Sequence, residues 1–208
     1  APVDTTDFTF SDATDGDTID VSPDAANPGY LLVKSLGDFF ESHSVRPSVS
    51  FTILTTGIGA IIRISGLISF LGVDFRFEAT RIVTAAGTVL EGGDITITAT
   101  STSTDATPAD ASIELVDTTL IGDTVSLTAT AAHTSAPSAT SGVATGTGEA
   151  TASVVVGGTS RIVATGAVDL ASSATVVLDT TSTGAATDAD AALDAAVAHA
   201  VAQTIART

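Results

Sequence analysis

The chain of 208 residues contains no cysteine, methionine or tryptophan, a single tyrosine, and Lys34 as its only lysine. Without cysteine no disulfide can staple the fold, and the redox compartment leaves no mark on the sequence. Cations are scarce: seven Lys plus Arg face 24 Asp plus Glu, for a net charge of −17. A field of that sign repels phosphate backbones and anionic headgroups, so nucleic acid is not an expected partner. A membrane-spanning helix needs about 20 consecutive apolar residues. The most apolar stretch, residues 49–71, is broken by Thr, Ser, Gly and Arg63, so membrane insertion is not expected. Asparagine occurs once, at Asn27, which rules out stacked Asn ladders in the turns. No G-x-S-x-G elbow, P-loop or G-x-G-x-x-G stretch occurs, and nucleophilic catalysis and nucleotide binding find no anchor. The chain opens on Ala1 without a basic-then-apolar leader, which reads as a processed chain or one excised from something longer.

What is present is Val, Ile, Leu, Ala and Thr. A hydrophobic share of 44% is ample for a core, and β-branched residues suit a pleated, half-buried surface, so the expected class is all-β. The acidic, lysine-poor composition fits salt-rich (halophilic) surroundings or cation binding. In concentrated salt the Debye length falls to about 3 Å and self-repulsion becomes tolerable.

Internal repetition is the strongest organising signal. Shifted by 30, Leu90, Gly92, Ile95, Ile97, Thr98, Ala99 and Thr100 fall on Leu120, Gly122, Val125, Leu127, Thr128, Ala129 and Thr130. Shifted by 80, residues 81–107 fall on residues 161–187, matching Arg81, Ile82, Val83, Leu90 and Thr100 to Arg161, Ile162, Val163, Leu170 and Thr180. Each copy runs from a Leu through a Gly- or Ser-containing turn into an alternating strand and a Ser/Thr/Ala run. Units that cannot bury their own apolar face are stabilised by stacking, which predicts a solenoid. Strands are expected to hold Ile95, Ile97, Val125, Leu127, Val176 and Leu178, each pair facing one side.

Taken in order, residues 1–79 read as an aromatic-containing N-terminal β region or cap, 80–187 as a Thr/Ala/Val repeat region, and 188–208 as an Ala-rich helical segment. Every Phe and the Tyr lie at or before Phe77, so the composition shift near residue 80 marks a domain boundary or a bulky cap on a slimmer body. Asp12, Asp15, Asp17 and Asp20 surround a Gly turn and are the candidate calcium ligands, since calcium takes six to eight oxygens; a solvated acidic turn is the alternative. Asp94 and Asp123 lie in similar turns. Residues 30–40 place Leu32, Leu36 and Phe39 at helical spacing, and a strand broken at Gly37 would also fit. At the C-terminus Leu193, Val197, Val201 and Ile205 recur every four residues behind Asp188 or Asp190, which predicts a helix, although the same residues obey period two. His43, His133 and His199 are isolated and form no zinc motif. Glu78, Glu91 and Glu114 are the carboxylates that a carbohydrate-active enzyme would bring together.

The stretch ATASVVVGGTSRIVATGAVDLASSATVVLDTTSTGAA followed by DAALDAAVAHAVAQTIART resembles the repeat regions of large secreted adhesins of the filamentous-haemagglutinin and haemolysin type, over roughly residues 80–208. The resemblance implies a right-handed parallel β-helix, extracellular or on a cell surface. The functional expectation is a non-enzymatic structural or adhesive module that self-assembles into a larger surface structure or filament. Copies of itself or a longer parent chain would be its partners, with contacts at residues 1–12 and 188–208, and surface glycans or a host surface its targets. The alternatives are a virion structural protein (capsid, tail or spike subunit) from a salt-rich host, built as an antiparallel β-sandwich or jelly roll with one or two short helices, and a carbohydrate-active enzyme.

Overall fold

The computed structural model describes residues 1–37, 41–104, 107–135, 138–139, 143–178, 181–182 and 195–207. Phe39, Thr180, Asp188, Asp190 and Leu193, which enter the sequence reading, lie outside them. Every regular element among the described residues is a strand. The chain opens with β1 (Val3–Asp12), β2 (Thr18–Pro23) and β3 (Leu31–Ser35) and then runs in circuits. The first circuit is β4 (Ser42–Thr55), β5 (Ile61–Ile64) and β6 (Leu67–Ser69). The second is β7 (Asp74–Ala79), β8 (Arg81–Thr84) and β9 (Val89–Glu91). The third is β10 (Ile95–Ser103), β11 (Ala109–Val116) and β12 (Thr119–Gly122). The fourth is β13 (Val125–Ser135), β14 (Ser138–Ala139), β15 (Val143–Gly157) and β16 (Arg161–Ala164). The last is β17 (Val168–Leu178), β18 (Thr181–Ser182) and β19 (Ala195–Arg207).

Corresponding strands of successive circuits pair in parallel. Row one is β4, β7, β10, β13 and β17. Row two is β5, β8, β11, β15 and β19, and row three is β6, β9, β12 and β16. β1 and β2 add parallel strands to rows one and two, and β3 links β2 to β4 by antiparallel pairs. Rows one and two thereby become one mixed 13-stranded sheet, nearly closed and barrel-like. Among the described residues these two β3 pairs are the only antiparallel ones, whereas the antiparallel sandwich held as an alternative needs them throughout.

Period-two alternation turns each row into columns of inward side chains. Phe8, Phe51, Phe75, Ile95, Val125 and Val168 stand in register in row one. Ile19, Ile62, Ile82, Ile113 and Val154 do so in row two, and Ile68, Leu90, Leu120 and Ile162 in row three. Phe75 and Phe77 stack with ring centroids 6.2 Å apart, and Phe51 meets them at 5.7 and 6.0 Å. A single buried core extends from Phe10 to Val154, straight through the composition shift near residue 80. Each fully buried Phe, Ile or Leu contributes about 1.5–3 kcal/mol by its removal from water.

The circuits lengthen. Phe75 lies opposite Ile95, Ile95 opposite Val125, and Val125 opposite Val168, so from β7 onward each step up row one skips more of the chain than the one before it. Row two shows the same growth between its first pairing, Ile61 with Arg81, and its last, Val143 with Ala195. The additions lie where row one turns into row two, so the body widens from the aromatic end instead of slimming above it. There the facing walls of β13 and β15 bring Cα atoms within 8 Å of one another. Stacked sheets ordinarily stand roughly 10 Å apart, so this gap is narrow. Small side chains fill most of the space between the walls, and Ala129, Ala131, Ala150 and Ala152 are fully buried there.

Several expectations need correction. The C-terminal segment is not a helix: Ala195–Arg207 pairs residue by residue with Val143–Val155. Alanine's helix preference is worth less than about 1 kcal/mol per residue, and an isolated helix of this length is marginal, so the ladder offered by β15 prevails. Leu31–Ser35 is likewise a strand, held between β2 and β4. The shift of 30 is a true register, setting β9 on β12 and β10 on β13, whereas the shift of 80 is not a structural repeat. Arg81 belongs to row two opposite Ser112, and Arg161 to row three opposite Thr119. Ile95, Ile97, Val125 and Leu127 are buried in strands as expected. Val176 packs against the core from β17, which also contains Leu178.

Candidate functional site

The corners between rows are built from stacked polar side chains, and they decide which acids are free for other work. Between rows two and three each circuit has a residue with left-handed backbone, Gly66, Gly87, Asp117 and Gly158 in turn. Asp117, at φ 47°, is the only non-glycine residue with positive φ among the described residues. Its carboxylate accepts the Thr159 N–H at 2.7 Å and the Thr159 hydroxyl at 3.0 Å, and these bonds hold its pKa below the usual carboxylate value. A Cβ on Gly158 would collide with that carboxylate, so glycine is required there for space as well as for φ. Alongside runs a hydroxyl ladder: Thr84 and Thr118 share a buried bond of 2.6 Å, and Ser160 donates to the Gly157 carbonyl and receives the Thr118 N–H. Threonine and serine do here what asparagine does in other stacked turns.

Of the four candidate calcium ligands, Asp12 and Asp17 lie within hydrogen-bond reach of each other, while Asp15 and Asp20 are engaged elsewhere. Asp12 accepts the Thr14 N–H, and Asp15 accepts the Ile58 N–H. Asp17 is buried and takes the Thr18 N–H and the Ser35 hydroxyl, while Asp20 lies 3.7 Å from Arg63. Desolvation is the largest influence on Asp12 and acts upward, but the Thr14 bonds and its other partners together bring the net shift below the usual value. Asp24 is lowered chiefly by the Ser44 hydroxyl and the Asn27 amide. Asp94 and Asp123 serve the corner between rows three and one, accepting the hydroxyls of Thr124 and Thr165. Among the described residues no three His, Asp or Glu side chains are grouped to hold a metal ion. These acids tie turns together: residues 12–17 are clipped to 56–58 through Asp15, the Thr56 N–H and the Gly16 N–H.

The three glutamates lie on three different rows and do not converge. Glu78 in row one is bound by Arg76, Glu91 in row three takes the Ser69 hydroxyl, and Glu114 in row two faces Arg81 at 3.3 Å. His43 contacts Glu41 at 2.6 Å and lies against Phe8 and Phe10. His199 belongs to β19, whose side chains are outside the described set. His133 is 1% exposed in β13, and neither ring nitrogen has a hydrogen-bond partner.

One recess is not apparent from motifs. Row one turns into row two through residues 56–60 in the first circuit but through Thr80 alone in the second, while β10 runs on to Ser103 in the third. The second circuit is therefore set back between two longer neighbours. The resulting notch of about 300 Å³ has Glu78, Ala79 and Thr80 at its back, Leu54–Ile58 as one lip and Thr100–Thr102 as the other. Ile58 is 72% exposed on the first lip. The sequence signal for it is FEATRIVT, which passes between two strands with no glycine or proline to form a loop. No protein-family model, curated protein or solved structure matches this chain.

Proposed function

We propose that the chain is a right-handed parallel β-helix serving as a non-enzymatic structural or adhesive module, extracellular or at a cell surface, that is completed by association at its wide end. The handedness follows from the strong preference of parallel crossovers for the right hand. The observation that carries the reading is the difference between first and last levels. β1, β2 and β3 cover the narrow end, whereas among the described residues β16, β17 and β19 each pair on one side only. Ile162, Leu170 and Val176 are only partly buried there, although their neighbours Leu120 and Leu127 are fully enclosed. Unpaired strand edges beside half-covered apolar columns are surfaces that proteins pair, cap or charge. The partner we assign is a second copy or further chain of the same kind.

The parallel rows favour this reading over the antiparallel virion subunit, and the separation of Glu78, Glu91 and Glu114 disfavours a glycan-cleaving centre built from them. Sedimentation equilibrium over a range of concentrations, at low and at molar salt, tests the proposal. Reversible association is expected, strengthened by salt as the charge of −17 is screened. A chain that stays monomeric throughout, with the amides of β17 as protected from exchange as those of β7, would sink it.

A further inference from the structure

We propose that the notch beside Thr80 receives one extended peptide segment of a partner protein, which enters as a short strand in line with β7 and turns a basic side chain toward Glu78. The proposal is independent of the assembly reading, since the notch lies at the narrow end, away from the open edges of the last circuit.

The spacing of the lips carries the argument. β7 pairs with β4 on one side and β10 on the other, so its neighbours are two strand spacings apart, about 9.6 Å. Beyond Ala79 β7 stops while β10 runs on to Ser103; on the other side β4 ends at Thr55, level with Ala79, and the turn 56–58 bounds the recess, which leaves room for the backbone of one strand beside β10. The upper lip is ready to pair. Ile95 directs its N–H to Thr124 on the β13 side, and alternate residues of a strand point their backbone groups to opposite neighbours. Even-numbered residues of β10 therefore face β7. Thr100 is the last of them with a partner there, in the Ala99–Ala79 step of the ladder. The Thr100 carbonyl and the Thr102 N–H and carbonyl then open into the notch, and no described strand pairs with them on that side. Strand addition satisfies such groups, with main-chain bonds giving affinity and neighbouring pockets choosing side chains.

The surroundings select the occupant's chemistry. Ile58 offers an apolar contact on the lower lip. Glu78 stands at the back, and the Asp15 carboxylate lies beside Ile58, whose N–H it accepts. Arg76 already pairs with Glu78, so the pull on a further cation comes from the Asp15 carboxylate on the same edge and from the −17 charge of the whole chain. An extended segment carrying Lys or Arg between small or β-branched residues is the fitting partner.

The probe is the peptide acetyl-Thr-Val-Lys-Val-Thr-amide, followed by amide chemical shifts of the labelled full chain. Saturable shifts are expected at Ser101, Thr102 and Gly57. The same peptide N-methylated at two successive amides cannot donate to the β10 edge and should bind at least about tenfold more weakly. Replacing its Lys by Glu should weaken binding about fivefold, and Glu78→Gln should shrink that difference. Thr102→Pro removes a donor that faces the notch and not the β13 ladder, a position where proline is tolerated, so it should abolish binding while the fold is kept. Should that variant misfold, the peptide pair on the unaltered chain decides. Equal affinity of the methylated peptide, shifts confined to other surfaces, or no saturable shift at millimolar peptide would each overturn the proposal.

Discussion

At the narrow end Phe51, Phe75 and Phe77 fill short circuits and are essentially inaccessible to solvent; at the wide end Leu170, Ala174 and Val176 line a circuit more than twice as long and are only partly covered. Both ends use the same alternation and the same parallel ladder. They differ in what fills the space and in what lies beyond the last strand. Aromatic side chains suit a short circuit whose three rows stand around one centre. A long circuit has two close walls whose middle is filled by alanine. The abrupt loss of aromatics after Phe77 therefore accompanies a change of cross-section within one continuous core.

Substitution in the two cores separates the ends most sharply. Phe75→Ala leaves a cavity among stacked rings and should cost about 3–5 kcal/mol in denaturant unfolding. Leu170→Ala in the half-open circuit should cost clearly less; equal losses would show that the wide end is as well packed as the narrow one. Next comes His133, an imidazole buried between the close walls without a partner. His133→Leu relieves an unsatisfied polar group and should gain about 1–3 kcal/mol, read as a higher denaturation midpoint at unchanged slope. A loss instead would mean that the ring is hydrogen-bonded.

Gly158→Ala tests the corner column, where both the left-handed backbone and the Asp117 carboxylate exclude a Cβ. A loss of about 1–2 kcal/mol is expected from the backbone alone, and Asp117→Gly in the same chain should restore part of it. Weakest of all is the response to pH. Asp12, Asp24 and Asp117 are more acidic folded than unfolded, so their stabilisation is fully present above the unfolded value and is lost as pH falls through the folded one. The melting temperature should be level above about pH 5 and decline below about pH 4. Loss of stability between pH 6 and 5 would point to groups other than these.

Much of this is legible in the sequence, for reasons that also explain the failures. The all-β class comes from residues whose branching fits a pleat. The match of Leu90 and Ile95 with Leu120 and Val125 finds the real register because β9 and β12 in row three and β10 and β13 in row one keep one constant offset. The next members of that series are Ile162 and Val168, which lie further along the chain than the same offset would place them. A search for one fixed period passes over them and accepts the accidental match at 80. The C-terminal segment reads as a helix because alanine's own preference is helical, while the competing ladder at Val143–Val155 is remote in the chain. The candidate acids are visible as a cluster in sequence, but only Asp12 and Asp17 meet in the fold, and Asp15 and Asp20 are drawn to Ile58 and Arg63. The notch is hidden because it consists of a strand that stops, and only the lengths of the neighbouring circuits reveal it.

The lengthening of the circuits bears on how such a plain sequence finds a single structure. A tandem array with equal units can slip by one unit and re-form nearly all its contacts, and a chain so rich in Thr, Ala and Val offers few side chains to forbid it. Here a slip by one circuit would set the shorter loop between Ile95 and Val125 against the longer one between Val125 and Val168, leaving the surplus with no place in the ladder. Length thus acts as an address: each strand has one partner whose loop to it is the right size. A corollary is that units of this chain are not interchangeable, so duplication or deletion of a single circuit, harmless in a uniform array, would here leave two neighbours of mismatched span.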